Sequence, residues 1–369
     1  MDTDRFRTLV DEPGPFATVY YDDSHNTADA TAVSELTVRA VLEALNFQGA
    51  DDALKNAVED ALTASPPPAG SSGRAVIVGH NGVMLDEQLV RPAVKTEVRL
   101  SALPYLVPLV EHGFEQVPYV VAVVDHEGAD VSVHRPDAHT THTSVDGGGY
   151  PVHKASGAEN SGYGDPQPRA EEAAKKNLRA AAGRIDSLAE EAAVVFLAGD
   201  AQARAQLREH LTDRVLELSA DIDGVTRSAK NEPDQLRSQI DEEFARRRLA
   251  ELDDAVARFR QEDGTGRAAQ GVQSVTRALR SGNVDTLIVG DLQGRTVATA
   301  KGLLAPDADT LSEYGAEEAL VQPADEAMLV AAVRIGAAIV RTDERFDPDD
   351  GVAAVLRYDE FSSAPPNGV

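Results

Sequence analysis

The fold is decided by residues 119–124, which read Tyr119-Val120-Val121-Ala122-Val123-Val124. A continuous apolar run of this length, followed by the turn Asp125-His126-Glu127-Gly128, is typical of a strand that is buried on both faces of a sheet. The alternating residues 129–133 predict a second strand in a hairpin, and residues 194–199 repeat the buried-strand pattern. Helical patterns at 168–193 and 201–210, and a further strand pattern at 215–218, predict a layered α/β domain with a mixed sheet.

The regions on either side of this domain predict two further domains. Toward the start of the chain, strand patterns fall at 15–21, 74–78, 83–85 and 97–100, and amphipathic helices at 27–45 and 51–62. Toward the end, helices are predicted at 233–261, 268–279 and 324–335, and strands at 284–290, 338–340 and 352–356. We therefore expect an N-terminal α+β domain over 1–118, a middle α/β domain over 119–230, and a compact C-terminal α/β domain over 231–369 that begins with one long helix.

Length and composition agree with this division. A chain of 369 residues exceeds what one hydrophobic core usually organises. The absence of cysteine excludes disulfides, thiolate nucleophiles and cysteine-based metal sites. No apolar signal core and no apolar stretch of membrane-spanning length occurs, so we expect a cytoplasmic protein. The net charge of −27 opposes the phosphate attraction on which non-specific nucleic-acid binding depends.

One segment departs from this acidic, globular pattern. Residues 147–168, which we call the Gly-rich segment, contain six glycines, three prolines and two tyrosines but hardly any aliphatic side chain. They therefore cannot offset the entropy of ordering with buried apolar surface. Over 147–185 six cations stand against four carboxylates. Arg179 follows Lys175 by four residues and Lys176 by three, so these cations would be neighbours on the surface of a helix. Tyr150 and Tyr163 could stack on unpaired bases. The other interpretation is a solvated helix face with ordinary loop tyrosines.

Other candidate chemistry is weak. Five histidines fall at or near the hairpin and the Gly-rich segment (His126, His134, His139, His142 and His153), but no His-Glu-x-x-His pattern or organised carboxylate set accompanies them. No Gly-x-Ser-x-Gly elbow, Walker loop or dinucleotide fingerprint follows a predicted strand. We therefore expect no metal ion and no cofactor. The run Asp22-Asp23-Ser24-His25-Asn26 reads as a turn and helix cap, or as a loop that presents Ser24, His25 and Asn26 to a partner.

The order of these features resembles the archaeal and eukaryotic class-1 release factor and Pelota superfamily. Within it, the chain is most similar to the bacterial branch that includes actinobacterial Balon-like ribosome hibernation factors. The stretches that carry the resemblance are Tyr20-Tyr21-Asp22-Asp23-Ser24-His25-Asn26-Thr27, Gly149-Tyr150-Pro151-Val152-His153-Lys154, Gly162-Tyr163-Gly164-Asp165, Phe244-Ala245-Arg246-Arg247-Arg248 and Asp285-Thr286-Leu287-Ile288-Val289-Gly290.

The resemblance implies a release-factor-like architecture of three domains spread across the ribosomal A site. The first would lie near the decoding centre with the loop Asp22, Asp23, Ser24, His25 and Asn26, and the second would reach the peptidyl-transferase centre. The residues expected to contact RNA are Gly147, Gly148, Gly149, Tyr150, His153, Lys154, Gly162, Tyr163, Gly164, Gln167, Arg169, Lys175, Lys176 and Arg179. The third domain would face a translational GTPase or the stalk base.

The resemblance also bears on catalysis. Release factors use a Gly-Gly-Gln tripeptide in the middle-domain loop, and no such tripeptide occurs here, because Gly147-Gly148-Gly149 is followed by Tyr150 and Gln167 lies between two prolines. We therefore expect a monomeric, non-enzymatic hibernation factor that binds the 70S ribosome and shields its active centres, with elongation factor Tu as a candidate partner. The alternatives are a peptidyl-tRNA hydrolase or rescue factor that uses Gln167, and a stress-response scaffold that binds only protein.

Overall fold

A computed structural model describes residues 3–25, 30–64, 72–89, 92–111, 117–135, 140–146, 166–227, 233–316 and 318–359. The chain forms two compact units, of which one combines Met1–Glu115 with Arg247–Val369 and the other is Gln116–Arg246. The expected division at 118/119 and 230/231 into three domains stays a prediction. The fold class is confirmed, because several sheets combine with helices in a mixed α/β architecture.

The N-terminal part of the first unit is an antiparallel sheet covered by helices. Its elements are a short 3-10 helix (Asp4–Phe6), α1 (Arg7–Asp11), β1 (Phe16–Asp22), α2 (Ala30–Phe47), α3 (Asp52–Ala64), β2 (Gly73–Gly79), β3 (Gly82–Leu89), β4 (Glu97–Ser101) and α4 (Val107–Glu111). The strand order is β3-β2-β1-β4. Val41 and Leu45 of α2 and Val58 of α3 are buried in one core cluster with Val19 of β1, so both helices cover one face of the sheet.

The edge strand β4 is closed by a side chain instead of another strand. The Gln48 amide follows α2, and its Nε2 donates to the Val98 carbonyl at 3.0 Å while its Oε1 accepts from the Leu100 N–H at 2.8 Å. Gln48 thus supplies the two hydrogen bonds that a neighbouring peptide group would supply. Closure of this kind reduces edge-to-edge association.

The second unit is built on a five-stranded mixed sheet. Its elements are β5 (Tyr119–Val124), β6 (Gly128–His134), β7 (Thr140–Asp146), α5 (Pro166–Leu188), β8 (Val194–Gly199), α6 (Ala201–Arg208), α7 (Asp213–Leu218), β9 (Ser219–Asp221) and the first half of α8 (Pro233–Glu262). The strand order is β7-β6-β5-β8-β9, with β7, β6 and β5 antiparallel and β5, β8 and β9 parallel. The predicted mixed sheet is therefore confirmed, and its two buried runs are adjacent strands.

One prediction in this unit is wrong, and a second has the right element with shifted ends. Residues 215–218 are helical, in α7, and the strand is the shorter β9 beside it. Thr212 has the extended backbone of an N-cap and Asp213 occupies the first turn, which favours a helix over a strand. The helix predicted at 168–193 is Pro166–Leu188, so residues 166–168 of the expected loop are helical. Proline is well suited to a first turn because the N–H that it lacks has no helical partner there.

The C-terminal part of the first unit contains two sheets. Its elements are β10 (Ala268–Gln270), α9 (Val272–Arg280), β11 (Val284–Val289), β12 (Thr296–Ala300), β13 (Leu303–Ala305), α10 (Ala308–Glu313), β14 (Leu320–Pro323), α11 (Ala324–Arg334), β15 (Ala338–Arg341) and β16 (Val352–Leu356). The orders are β10-β16-β11-β15 and β13-β12-β14. The helix predicted at 268–279 is wrong in its first turn, because Gly271 has a φ of +80° and separates β10 from α9.

Both ends of the chain contribute to one core in the first unit. Phe6 and Tyr20 belong to the same buried cluster as Met328 and Leu329 of α11. Among the residues that the structure describes, no helix is both long enough and apolar enough to cross a bilayer.

Candidate nucleic-acid interface

Helix α5 covers the mixed sheet of the second unit with one apolar stripe. Leu178, Ala181, Ala182 and Ile185 are buried with Val131 of β6. Their spacing of three, four and seven residues is that of one helical face. The opposite face is therefore directed to solvent.

The solvent face of α5 is basic. Lys175, Lys176, Arg179 and Arg184 are all exposed, and the ten residues from the first to the last extend along about 14 Å of helix. Within the described ranges none of these four makes an ion pair, whereas Arg204 of α6 pairs with Asp221 at 3.0 Å. We call these four cations the α5 basic face. Two described carboxylates of α5, Glu172 and Asp186, lie on the same side of the helix, so four cations stand against two carboxylates. In a chain of net charge −27, such a positive patch suits phosphate groups.

The hairpin that leads to the Gly-rich segment is fixed by ion pairs. Arg227 donates to Asp125 Oδ1 at 3.0 Å and to Asp130 Oδ1 at 3.1 Å, and the Ser144 hydroxyl donates to Asp130 at 2.7 Å. The hydrogen bond from Arg227 is the main cause that lowers the pKa of Asp130 below its ordinary value. Because Asp146 at the end of β7 pairs in register with Gly128, the last described residue before position 147 is held at a defined place.

An aromatic cluster fills the other side of the sheet near the start of β5. The Tyr119 ring stacks on His134 at 4.5 Å and meets Phe196 and Phe244 edge to face. Burial raises the pKa of Tyr119 to about 12. Burial, with smaller contributions from His142 and Arg237, lowers the pKa of His134 to about 4, so this imidazole is neutral at pH 7. His134 is therefore a packing residue and not a cation that could face RNA.

Some of the expected RNA contacts can be placed. Lys175, Lys176 and Arg179 lie together on the α5 basic face. Gln167 and Arg169 belong to the first turns of α5. The remaining ones lie outside the described residues: Gly147, Gly148, Gly149, Tyr150, His153, Lys154, Gly162, Tyr163 and Gly164.

Two features were missed from the sequence. Arg184 is a fourth exposed cation on the solvent side of α5, and the signal was available, because it follows Lys176 by eight residues, or about 80° around the helix. Strand β7 is an edge strand whose Thr140, Thr141, His142 and Ser144 are exposed. The Thr-rich run Thr140-Thr141-His142-Thr143 indicates an extended segment, but no strand was predicted there, although its β-branched residues favour one.

The N-terminal loop, described over residues 22–25, makes hydrogen bonds to its own backbone and side chains. The Ser24 N–H donates to Asp22 Oδ1 at 2.9 Å, and the His25 Nδ1 lies 3.1 Å from the Asp23 carbonyl. Asn26 lies outside the described residues.

The buried member of this loop is Asp23, which is 4% exposed. It accepts a hydrogen bond from Gln88 Nε2 at 3.1 Å, and its backbone N–H donates to the Ser72 carbonyl at 2.9 Å. Ser24 and His25 are half-buried, and Asp22 is the exposed member among the four described residues of the loop.

A metal centre was not expected, and no group of three or more potential ligands comes together among the described residues. His126 lies 3.6 Å from Asp200 as an isolated pair. His139 and His153 lie outside the described ranges.

The chain is similar to known proteins over nearly its whole length. It is 42% identical over 364 residues to the uncharacterized proteins Rv2629 and MT2704 of Mycobacterium tuberculosis, strains ATCC 25618 / H37Rv and CDC 1551 / Oshkosh. The match covers 97% of this chain and 97% of each relative. A family model described as bacterial archaeo-eukaryotic release factor family 2 matches residues 118–265, a range that includes β5 to β9 and α5.

Solved structures give more distant matches. Pelota from Archaeoglobus fulgidus is 14% identical, with 96% of this chain and 92% of that chain covered and a TM-score of 0.39. The archaeal translation termination factor aRF1 is 14% identical, with 97% and 99% covered and a TM-score of 0.22. The family assignment therefore depends on the two relatives and the family model.

Proposed function

The chain belongs to bacterial archaeo-eukaryotic release factor family 2, and from this premise we propose that it is a translation factor that binds the ribosome. The predicted membership of a release-factor and Pelota-like bacterial family is confirmed by the family model and the relatives. The narrower placement among Balon-like hibernation factors stays a prediction.

The observation that carries the proposal is the α5 basic face. Four exposed cations without carboxylate partners in the described part of the chain lie on the helix that follows the Gly-rich segment. Phosphate contacts of this kind provide affinity and fix orientation on RNA without reading sequence. They also explain how a chain of net charge −27 can approach an RNA surface, because the approach is made by the least acidic part of the molecule.

The finer proposal names the site on the ribosome that the protein occupies and the state of the ribosomes to which it binds. In it, the protein occupies the A site of idle 70S ribosomes as a monomer in the cytoplasm. The Gly-rich segment enters the peptidyl-transferase centre, and residues 22–26 face the decoding centre. Elongation factor Tu is the candidate delivery partner. The second unit binds without hydrolysing peptidyl-tRNA, because the sequence lacks the Gly-Gly-Gln tripeptide.

Co-sedimentation with 70S ribosomes tests the binding surface. The triple variant Lys175→Glu, Lys176→Glu, Arg179→Glu reverses three cations of the basic face, and we expect it to lose at least about tenfold in affinity. The matched control Lys95→Glu, Arg260→Glu, Lys301→Glu makes the same change in net charge at three exposed cations of the other unit. The slope of log affinity against log salt concentration should become shallower by about two to three in the first variant, and it should stay unchanged in the control. Equal loss in the two variants contradicts an RNA contact through α5.

A second measurement on the same complexes separates binding from catalysis. Ribosomes loaded with peptidyl-tRNA should release no peptide above background when the protein is added. Release that disappears in Gln167→Ala would favour the hydrolase alternative. A protein that stays at the top of the gradient would favour the scaffold alternative.

A further inference from the structure

Three carboxylates surround a single guanidinium inside the first unit. Arg99 of β4 donates through Nε and Nη2 to Glu97 Oε1, at 3.2 and 3.1 Å. Its Nη1 donates to Asp325 Oδ2 at 2.9 Å and to Glu326 Oε1 at 3.3 Å. We call these four residues the Arg99 cluster. Within the described ranges Arg99 is the one cation at ion-pair distance from these carboxylates, so three negative charges face one positive charge when all of them are ionised.

Glu326 is the most deeply buried member of the cluster. It is 1% exposed, and its Oε2 atom has no hydrogen-bond partner in the part of the chain that the structure describes. An ionised carboxylate loses its hydration on burial, and an oxygen without a donor recovers none of it. Burial therefore raises the pKa of Glu326 above its ordinary value, and the opposing contributions of Ser101 and Arg99 do not offset this effect.

The aromatic groups beside the cluster do not supply the missing positive charge. The Arg99 guanidinium lies over the ring of Tyr105, 3.3 Å from its centroid, and the Tyr20 hydroxyl donates to the Tyr105 carbonyl oxygen at 2.7 Å. Burial raises the pKa of both tyrosines above the ordinary value, so the phenols are neutral at pH 7. The more distant charged groups that act on them, Glu87 and Glu111, are carboxylates as well.

The cluster connects two parts of the first unit. Arg99 and Glu97 belong to β4 in the N-terminal sheet, whereas Asp325 and Glu326 lie in the first turn of α11. The same helix contributes Met328 and Leu329 to the core that both parts share. A change in the charge of the cluster therefore acts directly on the contact between β4 and α11.

We propose that the Arg99 cluster is a pH-sensitive joint, which becomes stronger when Glu326 takes up a proton from solvent. Uptake of the proton removes one of the three negative charges and the cost of burying an ionised carboxylate, while Glu97 and Asp325 retain their hydrogen bonds from Arg99. The inference concerns the stability of the first unit and does not depend on the proposed ribosome binding.

The direction of the pH effect follows from linkage. Because the pKa of Glu326 is higher in the folded chain than in the unfolded chain, the folded state binds more protons between the two pKa values. Glu326 therefore adds stability as the pH falls through its folded pKa. Asp130 of the second unit behaves in the opposite way, because its pKa is lowered in the folded chain and its contribution is lost in acid.

The test variant is Glu326→Gln, because its amide has the shape of a protonated carboxyl group and cannot ionise. Native-state hydrogen exchange of the full-length protein is followed at amides of β4 and α11 from about pH 8 to about pH 5. The exchange rate in the original chain is divided by the rate in the variant, so the intrinsic pH dependence of exchange cancels. We expect this ratio to fall by at least about threefold as the pH decreases. The ratio for amides of β5 and β8 should stay constant.

A matched variant and a direct titration complete the experiment. Glu318→Gln makes the same chemical change at an exposed carboxylate of the same unit, and its ratio should not depend on pH. Carbon-13 NMR of the original chain needs no variant: the side-chain carboxyl carbon of Glu326, assigned through its backbone amide, should titrate at higher pH than that of Glu318. Asp325→Asn should shift the Glu326 titration to lower pH, because the charge of Asp325 raises the pKa of Glu326.

Three results would overturn the proposal. A Glu326 carbon that titrates together with the Glu318 carbon would mean that the joint does not bind a proton in the folded chain. An exchange ratio that stays constant with pH would mean that the proton does not strengthen the contact between β4 and α11. An equal fall in Glu318→Gln would mean an effect of net charge alone. None of these measurements uses ribosomes, so failure here and failure of the co-sedimentation test are distinguishable.

Discussion

At the scale of single residues, Gly199 allows the ends of the parallel strands β5 and β8 of the second unit to approach each other closely. It ends β8 with a φ of +105°, opposite Val124 of β5. A Cβ at this position would lie 2.0 Å from the Val124 carbonyl oxygen. The same carbonyl accepts the Asp200 N–H at 3.0 Å, and Asp200 caps α6 by accepting the Ala203 N–H at 2.9 Å. Because Gly199 has no side chain, the Val124 carbonyl can lie close to the end of β8 and accept the N–H of the residue that caps α6.

Replacing this glycine should be costly. We expect Gly199→Ala to lower the free energy of unfolding by about 2 to 5 kcal/mol, because backbone strain adds to a clash with backbone atoms that cannot rotate away. Urea unfolding measures the change.

A glycine of the same unit provides the control. Gly183 lies on the exposed face of α5, and a Cβ there would meet nothing within 4 Å. Gly183→Ala should raise stability by about 0.5 to 1 kcal/mol, as alanine is the better helix former. A Gly199→Ala variant as stable as the original chain would mean that the strand ends can separate without cost.

Single side-chain orientations were the hardest feature to predict from the sequence. Asp22 and Asp23 look equivalent as neighbours in a polar turn, yet Asp22 is exposed and Asp23 is buried. The difference depends on Gln88, which lies 65 positions further along the chain and donates to Asp23. Local pattern carries no information about such a partner.

At the scale of elements, the strongly patterned segments were predictable. The buried runs at Tyr119–Val124 and Val194–Gly199 are strands, and the long helix Pro233–Glu262 agrees with its prediction within one residue. The errors fall where short elements meet. Residues 215–218 can be read as a strand by composition, and only the turn before them indicates a helix.

The second sheet of the C-terminal part shows the same limit. The sequence predicted no strand at β12, β13 or β14, which have only three to five residues each. Strands this short give too few positions for an alternating pattern to be recognised. Their pairing with one another, and not their individual composition, makes them a sheet.

The closure of β4 by Gln48 gives a prediction about an element. Gln48→Ala removes both hydrogen bonds to the outer edge of the strand, so we expect the Leu100 amide to exchange with deuterium at least about tenfold faster, which corresponds to the loss of roughly one hydrogen bond. Sedimentation velocity should show more self-association, because the free edge can pair with another chain.

A more conservative change at Gln48 separates the two hydrogen bonds. In Gln48→Glu the carboxylate can still accept from Leu100 but cannot donate to Val98. Protection of the Leu100 amide should therefore be largely retained. Unchanged exchange in Gln48→Ala would show that Gln48 does not close the edge.

At the scale of the whole molecule, the first unit is assembled from segments that are far apart in sequence. Phe6 is 1% exposed and lies in the cluster that also contains Met328 and Leu329. Arg99 of β4 adds a polar link within the unit, since it lies 2.9 Å from Asp325 of α11. The sequence patterns indicated separate N-terminal and C-terminal layers but could not show that the layers share a core, because no local period encodes a contact over more than 300 residues.

The shared core predicts coupled unfolding. Phe6→Ala should destabilise the first unit by about 3 to 5 kcal/mol through the cavity that it leaves. In native-state hydrogen exchange, amides of β1 and β11 should lose protection together, whereas those of β5 and β8 should keep theirs.

The reverse pattern is expected for a core residue of the second unit. Phe196 is fully buried in the aromatic cluster with Tyr119 and Phe244. Phe196→Ala should release the amides of β5 and β8 and leave β1 and β11 protected. Loss of protection in β1 without β11 after Phe6→Ala would show that the two parts of the first unit unfold independently.

Because Met1–Glu115 and Arg247–Val369 share one core, the order of synthesis matters. Residues up to 115 leave the translating ribosome well before Leu329 is made, and at roughly 5 to 20 residues per second the delay is about 10 to 40 s. During this interval α1 and the face of β1 that carries Phe16 and Tyr20 lack the α11 residues with which they share a core. We therefore expect the nascent N-terminal segment to expose part of its apolar surface until the C-terminal part has been made.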